Sequence, residues 1–248
     1  MESPRRADPL VPALVLAVGL IGAGWTLGRG LVESRRVDRF VTVKGVAERE
    51  VEADLAFWAI TLSVPSDAIG SAQEQVAGST AQVLAFLAEF GIGPADVSRQ
   101  GTQVVDRAAQ FNQTAPGDLR YIVSTTLLVR TDDVAAIHEA SQSVGDLLAA
   151  GVPLGSGAGY GYGFSRPTYS FTRLNRIKPD MIAEATAAAR AAAQQFADDS
   201  GGRVGGIRRA NQGVFVIQAR DRSPGVDEAA QRFKTVRVVS TVEYYLEE

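Results

Sequence analysis

Few side chains in this chain are able to do chemistry, and their spacing limits what that chemistry is. There is one histidine, His138, no cysteine, and three lysines, Lys44, Lys178 and Lys234. One imidazole cannot build a two-histidine zinc site, and a triad at His138 would need partners that its neighbour Glu139 does not supply. No serine lies in a G-x-S-x-G elbow, and no S-x-x-K run ends on any lysine. The acid pairs Asp132/Asp133 and Asp198/Asp199 fall at expected helix ends, where dipole and capping account for them. No catalytic residue, metal ligand or cofactor is expected, and the chain reads as a non-enzyme.

Two stretches stand out. In residues 151–163, GVPLGSGAGYGYG, the glycines at 155, 157, 159, 161 and 163 recur every second residue. That misses the spacing of a phosphate-binding loop. It places the glycines on one face of an extended strand and Tyr160, Tyr162 and Phe164 on the other. A bare face permits close backbone approach, so Gly157, Gly159, Tyr160, Gly161 and Tyr162 are candidate contacts with a second copy. In residues 171–180, FTRLNRIKPD, the groups Arg173, Asn175, Arg176 and Lys178 precede a helix expected to begin at Pro179. A basic cluster beside a helix dipole is a candidate contact for an anionic ligand or a partner protein.

The elements that position these residues follow from periodicity. Pro9 to Gly28 is a run of uncharged residues, PLVPALVLAVGLIGAGWTLG, long enough at about 1.5 Å per residue to cross the roughly 30 Å bilayer core. Trp25 suits the interface at one end. A cleaved signal peptide would normally end in a small-x-small site, and Trp25 and Leu27 stand in the way of one. The expected organisation is a tail at 1–8, a transmembrane signal-anchor at 9–30, a linker at 31–39 and a folded domain at 40–248. Two arginines precede the span and four follow it, so flanking charge alone leaves the orientation open.

Beyond the linker, Val41 and Val43 alternate with Thr42 and Lys44, and Gly45 is expected to form a bulge. A second strand carries Trp58, Ile60, Leu62 and Val64 on one face. A helix capped by Ser66 or Asp67 should bury Ile69, Val76, Val83, Leu87 and Phe90 before Gly91. Two strands bracket Pro116-Gly117-Asp118, the second carrying Tyr121, Val123, Thr125, Leu127 and Val129 on one face. A helix beginning near Thr131 follows, with Val134, Ile137, Val144 and Leu148 inward. The last helix, from Pro179, should bury Ile182, Ala185, Ala189, Ala193 and Phe196, and two strands, 207–219 and 233–246, close the chain. The order ββαββα-β-αββ predicts an α+β fold of antiparallel or mixed sheets with helices on one side.

Composition is ordinary for a globular protein, with 46% hydrophobic and 21% charged residues. Residues 40–248 hold 19 basic and 24 acidic side chains, an acidic balance that argues against nucleic acid as a partner.

VTVKGVAEREVEADLAFWAITLSV, near the start of the domain, resembles the opening of SIMPL-domain proteins (domain of unknown function 541). YSFTRLNRIKPDMIAEATAAARAAAQQFADDSGG, ANQGVFVIQARD and KTVRVVSTVEYYLEE are similar to later blocks of that family, in its membrane-anchored bacterial branch. The resemblance implies export across the inner membrane to the periplasm and a homo-oligomer, ring- or barrel-like in some members. It also implies a structural or stress-protective role in the envelope. It carries over no catalytic residue.

Overall fold

The computed structural model describes residues 10–36, 39–109, 119–155, 166–221, 225 and 227–247. Its helices are α1 (Leu10–Arg36), α2 (Ile69–Glu89), α3 (Val134–Gln142), α4 (Val144–Ala149) and α5 (Leu174–Asp199). Its strands are β1 (Phe40–Glu52), β2 (Leu55–Ser66), β3 (Val97–Asp106), β4 (Tyr121–Thr131), β5 (Thr168–Ser170), β6 (Arg203–Gln212), β7 (Val216–Ala219) and β8 (Phe233–Glu247). They form one sheet ordered β3-β4-β2-β5 and another ordered β1-β8-β6, with β7 also paired to β8. The register of β2 on β4 and β5, of β3 on β4, and of β6 and β7 on β8 is antiparallel. The α+β expectation therefore holds in its outline.

Two compact units divide the chain, and β1, α5 and β8 each carry residues of both. The larger unit holds residues 48–181 and 215–237. Its core is set by alternation in β2, where Ala56, Trp58, Ile60, Leu62 and Val64 are buried and their neighbours half-buried. Val123, Leu127 and Val129 of β4 share that face, and α2 and α3 close over it with Val83, Leu87 and Ile137. Each such side chain, once removed from water, contributes about 1.5–3 kcal/mol. The opposite face is a ladder of hydroxyls, with Thr61 opposite Thr126 (3.0 Å) and Ser63 opposite Ser124 (3.1 Å).

Several expected boundaries move. Ala68, not Ser66 or Asp67, precedes α2, and its side chain offers no cap; Asp67 instead accepts from the Arg120 N–H. Ile69 is exposed, and Ala72 and Phe86 complete the buried stripe. The helix expected after Thr131 breaks at Ser143 into α3 and α4, which turns Leu147 inward and leaves Leu148 exposed. Asp133 does cap α3, accepting from the Ala136 N–H at 3.0 Å. The hairpin at Pro116-Gly117-Asp118 lies outside the described residues.

The smaller unit holds residues up to 47, 182–214 and 238–248. Here α5 lies on β1 through a fourth-residue stripe of Ala185, Ala189, Ala193 and Ala197, all fully buried. Ile182 and Phe196, the expected ends of the stripe, are half-buried and exposed, and Met181 and Ala197, one position outside each, are buried in their place. Gly45 is no bulge: buried and exposed residues alternate straight through it. A Cβ there would meet the Ala185 carbonyl oxygen at 1.8 Å, so the residue is glycine because helix backbone occupies that space. The long strand expected at 207–219 is interrupted at Gly213, whose N–H donates to the Val239 carbonyl at 2.8 Å, and resumes as β7.

α1 continues unbroken through the expected linker to Arg36. Its described apolar side chains face no protein: Leu16, Leu20, Ile21, Trp25 and Leu27 are each exposed, Ile21 to 69%. Among the described residues, no helix is long and apolar enough to cross a membrane. Side chains of α1 are described for residues 16–30, a stretch shorter than the roughly 20 residues a span takes.

Candidate functional site

Asn175, Arg176 and Lys178 fall inside α5, with Arg173 just before it, because the helix starts at Leu174 and holds Pro179 in its interior. Pro179 has no N–H for the Asn175 carbonyl, a loss the helix bears near its start. The early start is explained by a contact from a distant turn. Asp54, between β1 and β2, accepts from the Thr172 N–H and hydroxyl, both at 2.8 Å, and from the Arg173 N–H at 3.0 Å. The Arg173 guanidinium adds an ion pair at 3.3 Å, with the Asp54 side chain 7% exposed. A carboxylate of the chain itself thus meets the positive end of the helix.

The rest of the cluster points to different surroundings. Lys178 lies over the Phe215 ring, 5.8 Å from its centroid. Asn175 and Arg176 are exposed. Asp180 pairs with Arg49 at 3.9 Å on the surface. The cluster therefore does not converge on one point, and Arg173 is committed to Asp54.

Of the glycine-rich stretch, Gly157, Gly159, Tyr160, Gly161 and Tyr162 lie outside the described residues. Gly155, the first of the alternating glycines, is among the described residues. The Gly155 N–H donates to the Thr61 carbonyl at 2.9 Å, and a Cβ on Gly155 would sit 2.8 Å from Ser63 Cβ. Close backbone approach occurs there within the chain, along the edge of β2.

The isolated groups are accounted for locally. His138 is exposed on α3, 3.5 Å from the Tyr169 hydroxyl, and burial raises the pKa of that phenol above its ordinary value. Lys44 is exposed on β1. Lys234 is fully buried, and its ammonium donates to the carbonyl and carboxylate of Glu228. Its side-chain nitrogen is thus engaged within the chain, six residues from its partner. At the surface, Arg120 holds Asp106 through two donors and keeps its carboxyl below the ordinary 3.8.

Two features escape the sequence reading. Asp54 gives no local signal beyond its place in a tight turn. The other is a cleft between α2 and β3 beside Arg99, whose one hint is Gly101 inside a strand pattern.

Residues 41–244 match the family model described as SIMPL, protein of unknown function (DUF541). Among curated proteins none matches.

Proposed function

Because the chain belongs to the SIMPL family, whose function is unknown, we propose that it is an anchored envelope protein assembling with copies of itself. Its role is structural or stress-protective and does not involve catalysis. The observation that carries this reading is α1, a helix of 27 residues whose described apolar side chains all face away from protein. Leaving them in water would forfeit about 25 cal/mol per Å² of apolar surface, and a bilayer contacted through residues 9–30 removes that cost. Arg29 folds over Trp25, 5.3 Å from the ring centroid, as suits a cation and an indole at the lipid–water boundary.

Self-assembly is supported by the sheets. Among the described residues β1, β3 and β6 are edge strands, each with a neighbour on one side only. Edges of this kind present backbone donors and acceptors to another chain. Multimerisation would also gather one anchor per protomer into a multivalent hold on the membrane. Placement in the bacterial inner membrane with the domain in the periplasm follows the family resemblance. The four arginines after the span weigh against it, although long folded domains translocate largely regardless of charge.

The absence of cysteine makes the test clean. A single Ala183→Cys, on the exposed face of α5, should react with a membrane-impermeant maleimide once the outer membrane is opened. A single Ser3→Cys should stay unlabelled until the inner membrane is broken. The reverse pattern would place the domain in the cytoplasm. Labelling of both at once, with the protein in the soluble fraction, would remove the anchor. In neutral detergent the intact chain should give a discrete multimer by native mass measurement; a strict monomer at micromolar concentration refutes the assembly.

A second reading, a binding module for an anionic ligand or another envelope protein, is favoured by the exposure of Asn175 and Arg176. Replacing Arg176 and Lys178 together by Ala should then abolish recovery of the partner in crosslinked membranes, with unchanged melting. Unchanged recovery would eliminate that site.

A further inference from the structure

The cleft between α2 and β3 brings a guanidinium, a pair of hydroxyls and an apolar floor together. Its origin is a bulge. Arg99 pairs with Leu127 and Thr102 with Thr125, so three steps along β3 match two along β4. Gly101 takes the left-handed φ of +58° that the irregularity requires. On a regular strand, residues three apart point to opposite faces. The bulge turns both Arg99 and Thr102 toward the helix side, where Leu127 and Thr125 are buried.

The resulting cleft has a volume of about 210 Å³. Its floor is Val76 and Val123, 7% and 0% exposed. Thr80 and Thr125 are also buried. The Thr80 hydroxyl donates to the Val76 carbonyl at 2.7 Å and is satisfied. The Thr102 and Thr125 hydroxyls lie 3.0 Å apart, so one proton serves their mutual bond and the other remains free to donate. No carboxylate lines the cleft, and among the described residues no ion pair or hydrogen bond holds the Arg99 guanidinium. A larger groove of about 490 Å³ beside Gln75 and Gln82 carries no charged side chain and no comparable anchor.

We propose that this cleft binds a small monocarboxylate. The carboxylate sits on the Arg99 fork and takes the free hydroxyl proton of the Thr102–Thr125 pair. A short apolar remainder lies on Val76 and Val123. One guanidinium balances one negative charge, and its planar donors match carboxylate geometry. The apolar floor disfavours inorganic phosphate, which would have to desolvate oxygens against Val76 and Val123 without a partner. The volume admits several heavy atoms, given that water occupies about 30 Å³ per molecule in the liquid.

This site uses none of the residues of the anchored-assembly reading or of the Arg176 cluster, so it stands or falls separately. The test is ligand-observed NMR of ¹³C-labelled butyrate on the intact protein in a neutral maltoside detergent, with butyramide and inorganic phosphate as competitors. Butyrate should bind saturably, and neither competitor should displace it. Arg99→Gln should weaken binding by about tenfold or more, the scale of losing a charge-assisted pair. Ala77→Leu, which fills the cleft from α2 and leaves the charge in place, should abolish it, and Arg176→Ala should leave it unchanged. Both cleft variants should melt as the parent does. Butyrate bound equally by Arg99→Gln, phosphate competing as well as butyrate, or no saturable binding at all would each overturn the proposal.

Discussion

Gly45→Ala should destabilise the smaller unit by about 3 kcal/mol or more, at or beyond the upper end of what overpacking a core costs. The new Cβ would stand 1.8 Å from the Ala185 carbonyl oxygen, 2.5 Å from the Ala189 nitrogen and 2.9 Å from the Ala185 carbonyl carbon. All three are backbone atoms of α5, a helix of 26 residues, so no rotamer change can relieve the contact. The helix must lift from the sheet, and lifting it uncovers Ala189 and Ala193 together with Val43, Val242 and Tyr244, the core of that unit. In a chain of this size the loss corresponds to a fall in melting temperature of about 6–12 °C. Two controls separate this cause from a general intolerance of change. Gly78→Ala, in the interior of α2 with nothing within 4 Å, should gain up to about 1 kcal/mol from helix propensity. Adding Ala189→Gly to Gly45→Ala should not restore stability, because the obstruction is the helix backbone and not a methyl group. A melt of Gly45→Ala within 1–2 °C of the parent would mean that α5 does not rest on β1 in this way.

That glycine illustrates where sequence reading reached and where it stopped. Strand alternation in β2 and β4 was legible because each has one face in a core, and the two periods, Trp58 to Val64 and Val123 to Val129, register directly. The alanine face of α5 was legible too, but its ends were not. Alanines at 185, 189 and 193 fit a stripe extended through 182 and 196 as well as one through 181 and 197. The structure takes the strict fourth-residue ridge, burying Met181 and Ala197. Nothing local distinguishes the two, since the choice depends on the groove the helix meets. Gly45 was visible as an anomaly in a strand, and only the position of Ala185 shows that it answers close approach instead of a bulge. The Arg99 cleft was hidden for a related reason. A one-residue bulge changes which face every later side chain occupies, and the sequence marks it only by Gly101. The basic cluster at 173–178 was legible as charge, but its principal partner arrives from 119 residues away.

That partner gives the second large effect. Asp54→Ala should cost about 1.5–3 kcal/mol, the scale of hydrogen bonds to a charged acceptor. Little of this comes from the ion pair itself. Arg173 is 54% exposed, and a pair of that kind contributes at most about 1 kcal/mol. The loss instead reflects the Thr172 and Arg173 N–H groups, which lead into α5 and have their acceptor only in Asp54. Asp54→Asn separates the contributions. One oxygen remains for the Thr172 N–H and hydroxyl, but the amide turns donors toward the Arg173 N–H and guanidinium, so an intermediate loss is expected. Thr172→Val removes the hydroxyl bond alone and should cost about 1 kcal/mol. Urea unfolding ranks the three, and hydrogen exchange locates the effect: protection should fall first over 174–178, the turns that begin earlier than Pro179 alone would start them. If Asp54→Ala cost no more than Thr172→Val, with exchange over 174–178 unchanged, the early start of α5 would have to arise from its apolar face. Leu174, Ile177 and Met181 would then hold those turns by burial, and the carboxylate would be a passenger.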